Sequence, residues 1–237
     1  MDKQIIKTII TEKQNAVTKY SVIKRNFDFD LSANYVLVGL RRAGKSYLLY
    51  YDIQKQINSG EKSKEDILYI NFEDERLSFE NASELGEILD AYYELYPQRT
   101  PLIYLDEIQI VSGWEKFARR LADSKYRVMI TGSNAKMLSR EIASSLGGRF
   151  IPKEISPFSF KEYNRYKGIE LGNNWLYDST VCATVANSFD EYFYNGGIAE
   201  SFPLSDKREY LNSLYQKILF ATEAQTVESY NQLFPNS

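Results

Sequence analysis

Two hydrophobic rhythms alternate along this chain. Short strand-length runs stand at 35–38, 67–72, 102–105, 127–131 and 150–155, the first four mostly apolar. Each has the length of a buried strand and is bounded by glycine, proline or charge. Between them, apolar residues recur every three to four positions. At 45–60, Tyr47, Leu48, Tyr51, Ile53 and Ile57 predict a helix stopped by Gly60. At 83–96, Leu85, Ile88, Leu89 and Tyr92 share one face ahead of Pro97. Helices are likewise expected at 114–122, where Trp114 would dock on the sheet, and at 136–146 and 157–166, with Ser156 as the last one's cap. Residues 1–34 read as helical, with Ile5, Ile6, Ile9 and Ile10 on an amphipathic stretch, before a turn at 28–34. A last helical stretch covers 189–220, interrupted by Gly196, Gly197 and Pro203.

Strand–helix alternation at this spacing predicts an α/β fold, a parallel sheet with helices on both faces. The Gly- and Asn-rich stretch 167–178 places a domain boundary there. That leaves a domain over 1–166 and a smaller, mostly helical segment over 167–237.

Composition narrows the chemistry. The chain has 237 residues, 43% of them hydrophobic and 26% charged, as in an ordinary globular protein. A net charge of -3 supplies no general basic surface for nucleic acid, so a protein or nucleic-acid partner stays unassigned. There is no histidine, which excludes imidazole acid–base chemistry and histidine metal sites. Cys182 is the sole cysteine, so no internal disulfide forms and a reducing cytoplasm is expected. No apolar run approaches the roughly 18 residues of a membrane span.

The segment after the first strand reads Gly39-Leu40-Arg41-Arg42-Ala43-Gly44-Lys45-Ser46. It fits G-x-x-x-x-G-K-[ST], the phosphate-binding P-loop or Walker A motif, at every fixed position. Glycines let successive N–H groups turn inward toward phosphate oxygens. The helix that follows adds its positive end. Lys45 would reach the β- and γ-phosphates of ATP, and the Ser46 hydroxyl would be a ligand of Mg²⁺. Gly39, Arg41, Arg42, Ala43, Gly44 and Tyr47 complete the nucleotide-contacting set. Arg41 and Arg42 either sense the γ-phosphate or meet a partner subunit, or are solvated charges that raise the local potential.

The apolar run 102–105 leads into Asp106 and Glu107. A strand ending in Asp-Glu is the Walker B pattern. Asp106 would hold the metal through water, and Glu107 would polarise the attacking water. P-loop proteins with adjacent Asp and Glu resemble the class with one strand inserted between the Walker strands. That resemblance implies strand order 5-1-4-3-2, with 127–131 inserted. A polar residue at that strand's end would reach the γ-phosphate. Ser133 and Asn134 are the candidates ahead of Thr131, although either could equally cap the next helix. Arg149 follows Gly147-Gly148 at a helix-to-strand corner. There it reads as an arginine finger offered to a neighbouring subunit's nucleotide, or as a surface arginine after a helix stop.

These motifs together, with 105–109 (LDEIQ), 130–134 (ITGSN), 146–149 (LGGR) and 157–162 (PFSFKE), resemble the AAA+ ATPases of bacteria and archaea that carry a C-terminal domain of unknown function. The resemblance spans about 15–220 and implies ATP and Mg²⁺ as cofactors and a homo-oligomer with shared active sites. Residues 221–237 do not resemble the family's continuation, so the second domain is expected to be incomplete. The leading expectation is an ATPase, coupling hydrolysis to partner remodelling. The alternative is a slow-turnover, ATP-dependent switch. A small-molecule kinase would need an arginine-rich lid and an acceptor pocket, and neither is visible.

Overall fold

A computed structural model describes residues 2–79, 81–133 and 145–216. The chain divides into two compact units, Met1–Ser156 and Pro157–Ser237.

The first unit follows the expected alternation: α1 (Lys3–Val17), β1 (Asn34–Val38), α2 (Lys45–Asn58), β2 (Ile67–Asn71), α3 (Gly86–Leu95), β3 (Leu102–Asp106), α4 (Trp114–Asp123), β4 (Val128–Gly132) and β5 (Phe150–Glu154). The strands form one sheet in the order β2-β3-β4-β1-β5, and every described pairing is parallel. Read from the other edge, this is 5-1-4-3-2, with β4 between β1 and β3.

Strand alternation splits the core in two. Val36, Val38, Leu68, Ile70, Ile103, Leu105, Val128 and Ile130 face α1, α3 and α4. Tyr35, Leu37, Ile67, Tyr69, Tyr104 and Met129 face the other way, toward Leu48, Leu49 and Ile53 of α2. Burial on both faces is why the strands read as continuous apolar runs. Trp114 is buried in the first of these cores. The edge strand β5 is exposed after Phe150 and carries Pro152, Lys153 and Glu154, which discourage further pairing.

The N-terminal helix is shorter than expected. Asp2 caps it, and Ile6, Ile9, Ile10, Gln14 and Val17 form its buried stripe. Beyond Val17 the stripe ends, and 18–33 crosses the domain without regular structure. Single side chains anchor it instead. Gln54 donates to the carbonyls of Val17 and Tyr20, and Arg25 donates to those of Ala43 and Ser156.

In the second unit, α5 (Phe160–Tyr166) is capped by Ser159, not by the expected Ser156. The Ser159 side chain accepts from the Glu162 amide, and Glu162 accepts from the Ser159 amide at 2.9 Å. This reciprocal S-x-x-E box outcompetes Ser156. The next helix, α6 (Ser179–Asn195), starts ten residues before the expected 189, because Asp178 accepts from the amides of Thr180 and Val181. The glycine- and asparagine-rich 167–178 falls inside this unit. Gly197 has no room for a side chain: a Cβ would stand 2.1 Å from the Phe158 carbonyl oxygen. The expected helix over 136–146 lies almost wholly outside the described residues.

Candidate nucleotide site

All five parallel strands end at one edge of the sheet, and the loop after β1 lies there. Gly39 and Gly44 have φ of 146° and 89°. A Cβ on Gly39 would stand 2.2 Å from the Ile155 carbonyl oxygen, so the chain leaving β5 requires glycine there. Arg42 also takes a left-handed φ, of 63°. Gly44 caps α2, whose first amides have no carbonyl partner within the helix and point outward. A concave loop of amides at a helix start is an anion cradle.

Lys45 is buried. Its Nζ donates to the Gly39 and Leu40 carbonyls at 3.1 and 2.9 Å and stands 4.0 Å from Glu107 Oε1. Burial lowers its pKa, opposed by the charges of Glu107 and Asp106. A cation held at the mouth of an amide cradle is arranged for a polyanion.

Asp106, at the end of β3, is 1% exposed. Its Oδ1 accepts from Ser46 Oγ at 3.1 Å and from Thr131 Oγ1, and its Oδ2 accepts from Tyr69 OH. Burial pushes its carboxyl above the ordinary range, against the three hydroxyls, which pull it down; the Glu107 charge adds to the rise. Ser46 and Asp106 therefore place two hard oxygens side by side. That donor set fits Mg²⁺, which takes one or two protein ligands, retains water and binds substrate phosphates.

Glu107 sits at φ 55°, a strained region for a residue with a side chain. Its amide donates to Thr131 Oγ1 at 3.0 Å. Its Oε2 accepts from Ser133 Oγ at 2.7 Å and Gln109 Nε2 at 2.6 Å. The buried Gln109 Oε1 has no partner among the described residues.

The fold thus brings Lys45, Ser46, Asp106, Glu107 and Ser133 together. Thr131, the weakest of the three candidates at the end of β4, bridges Asp106 and the Glu107 amide. Arg41 pairs with Glu73 at 3.0 Å on the surface. Tyr47 is 51% exposed beside Tyr20. Asn134 lies outside the described residues. Arg149 is not brought to the loop: it precedes β5, at the opposite edge of the sheet. Three contributors escaped the sequence reading. Tyr69 hides within an apolar strand, where only its hydroxyl hints at a buried partner. Gln109 closes the 105–109 run, but nothing in that run assigned it a role. Arg25 reaches the loop from 18 residues upstream, through the Ala43 carbonyl.

This loop on this sheet order defines a P-loop nucleotide-binding protein. A model of the AAA domain family matches residues 32–164, more than half of the chain, and the chain belongs to that family of ATPase domains. It is 35% identical over 227 residues to an uncharacterized protein of Methanocaldococcus jannaschii, covering 92% of this chain and 49% of that one. It is 38% identical over 140 residues to an uncharacterized protein of Haemophilus influenzae, covering 57% and 34%. The chain thus spans half or less of these curated relatives. Among solved structures, AMPPCP-bound DnaA from Aquifex aeolicus matches at TM-score 0.40 and 15% identity, covering 90% of this chain and 67% of that one. The Aeropyrum pernix ORC1 protein in complex with DNA matches at TM-score 0.38 and 16% identity, covering 91% and 64%. Among the described residues, no helix is long and apolar enough to cross a membrane.

Proposed function

We propose that the first unit binds ATP with Mg²⁺ at residues 39–46 and hydrolyses it to ADP and phosphate. The observation that carries this reading is the convergence of Lys45, Ser46, Asp106 and Glu107 at one edge of the sheet. The loop amides and Lys45 bind the β- and γ-phosphates. Arg41, Arg42, Ala43 and Tyr47 border the nucleotide. Ser46 and Asp106 would hold the metal, which supplies positive charge to the phosphoryl oxygens. Glu107 orients a water and takes its proton as the water oxygen bonds to the γ-phosphorus and the bond to the β-phosphate oxygen breaks. Ser133, hydrogen-bonded to Glu107, holds that carboxylate in place, and Asn134 follows it in the chain. Arg149 would serve a neighbouring copy's nucleotide in a homo-oligomer. The helical segment 167–237 would pass the nucleotide cycle to a protein or nucleic-acid partner. The lone cysteine suits a reducing cytoplasm.

One observation favours slow turnover, as in a switch. Glu107 Oε2 is already engaged by Ser133 and Gln109, so one carboxylate oxygen, Oε1, which stands 4.0 Å from Lys45 Nζ, is left to take the proton. Phosphate release with and without candidate partners separates a constitutive ATPase from a switch. Absence of ATP binding in the wild type would overturn both.

A further inference from the structure

The metal carboxylate is supported from behind by a part of the molecule that the loop motif does not include. Tyr69, on β2, is fully buried, and its hydroxyl donates to Asp106 Oδ2. The Tyr50 hydroxyl of α2 lies 3.1 Å from the Tyr69 hydroxyl. Because Tyr69 directs its proton at Asp106, Tyr50 is the donor in that second bond. Tyr50 in turn stacks on Tyr20, with ring centroids 4.7 Å apart and planes 21° from parallel.

Resting on the Mg²⁺–ATP reading above, we propose that Tyr69, backed by Tyr50, is a positioning residue that sets the metal affinity of the site through Asp106. A carboxylate offers about four lone-pair sites. Tyr69, Thr131 and Ser46 fill three of them. The one that remains is on Oδ2, the oxygen that Tyr69 holds, and would accept from a metal-bound water. Ser46 can lend its oxygen to the metal while its proton stays on Asp106. Tyr69 is the one hydroxyl of the three on Oδ2, so it fixes the rotation of the carboxylate plane. Without it, Oδ2 loses its buried donor, and the two hydroxyls on Oδ1 alone hold the plane. Groups that orient a metal's partners in this way typically change metal affinity or activity by about 10–100-fold when removed.

The bland alternative is that the Tyr69 hydroxyl only satisfies a buried carboxylate. Such a role would lower the melting temperature and leave the metal dependence unchanged. The test uses the full chain and a non-hydrolysable ATP analogue, with binding measured across a Mg²⁺ titration and in EDTA. Tyr69→Phe should raise the Mg²⁺ concentration at half-saturation about 10–100-fold, with metal-free nucleotide affinity unchanged. Tyr50→Phe, which keeps the Tyr69 donor but removes the hydroxyl behind it, should shift it the same way by less. A wild-type Mg²⁺ midpoint in Tyr69→Phe overturns the inference while the nucleotide reading stands. If Tyr69→Phe shows no cooperative melting, the decision falls to Tyr50→Phe, where an unchanged midpoint is the overturning result. Wild type that binds no nucleotide under any condition removes the nucleotide reading and this inference with it.

Discussion

Arg149 donates from Nε to Asp123 at 2.5 Å, on the edge of the sheet opposite Lys45. The register Asn34↔Phe150 to Val38↔Glu154 sets a full strand between Arg149 and the phosphate loop, roughly 15 Å. Its guanidinium cannot attend its own chain's γ-phosphate. If it acts in hydrolysis it does so on a neighbour, after leaving Asp123.

Arg149→Ala is therefore expected to bind ATP normally and lose turnover by about 10³-fold. Mixed with Lys45→Ala, it should regain partial activity, since each chain supplies what the other lacks. Phosphate release from a mixture shown by native mass to co-assemble checks this. No recovery there removes Arg149 from the mechanism.

Lys45→Ala deletes the one cation buried in the loop. Hydrogen bonds from charged groups contribute about 1.5–3 kcal/mol, so ATP affinity should fall by about 10- to 100-fold. Equilibrium binding of labelled nucleotide measures it, and wild-type affinity would show that phosphates bind elsewhere.

Glu107→Gln keeps the size of the side chain and loses the basic oxygen. Mg²⁺–ATP should bind as in wild type while hydrolysis drops by about 10²–10⁴-fold. Single-turnover rates give the comparison. Undiminished hydrolysis would mean that another group activates the water.

Asp52 tests the fold rather than the chemistry. It accepts from Tyr104 OH at 2.6 Å and Arg127 Nη1 at 2.8 Å, in the interior between α2 and the sheet. Asp52→Ala leaves a buried guanidinium without its carboxylate, a change that destabilises by about 3–5 kcal/mol. Urea unfolding should show the loss. A shift below about 1 kcal/mol would show that water replaces the carboxylate.

The five strands and the loop were open to sequence reading because each is written in consecutive residues, whereas the strand order came from the resemblance that the adjacent Asp106 and Glu107 carry. An apolar run declares a buried strand by itself. The spacing from Gly39 to Ser46 follows from what a curled backbone and one helix start need. Asp106 and Glu107 end an apolar run, so their place at the sheet edge follows from where the strand stops. The cap of α5 was equally local, as Ser159 and Glu162 stand at capping-box spacing; Ser156 competed because it precedes a proline.

What the tertiary structure decided is which side chains meet across strands. Tyr69 reaches Asp106 over 37 positions, Thr131 reaches it over 25, and Arg25 reaches Ser156 over 131. No local period encodes such pairings, because they depend on which strands are neighbours and how far each side chain extends. The same holds for Arg149, whose distance from its own loop follows from strand direction. The sequence by itself determined the chemistry offered at the end of β1 and β3. Packing determined how the carboxylates are held, because a buried polar group takes its partner from whatever the fold places within about 3 Å.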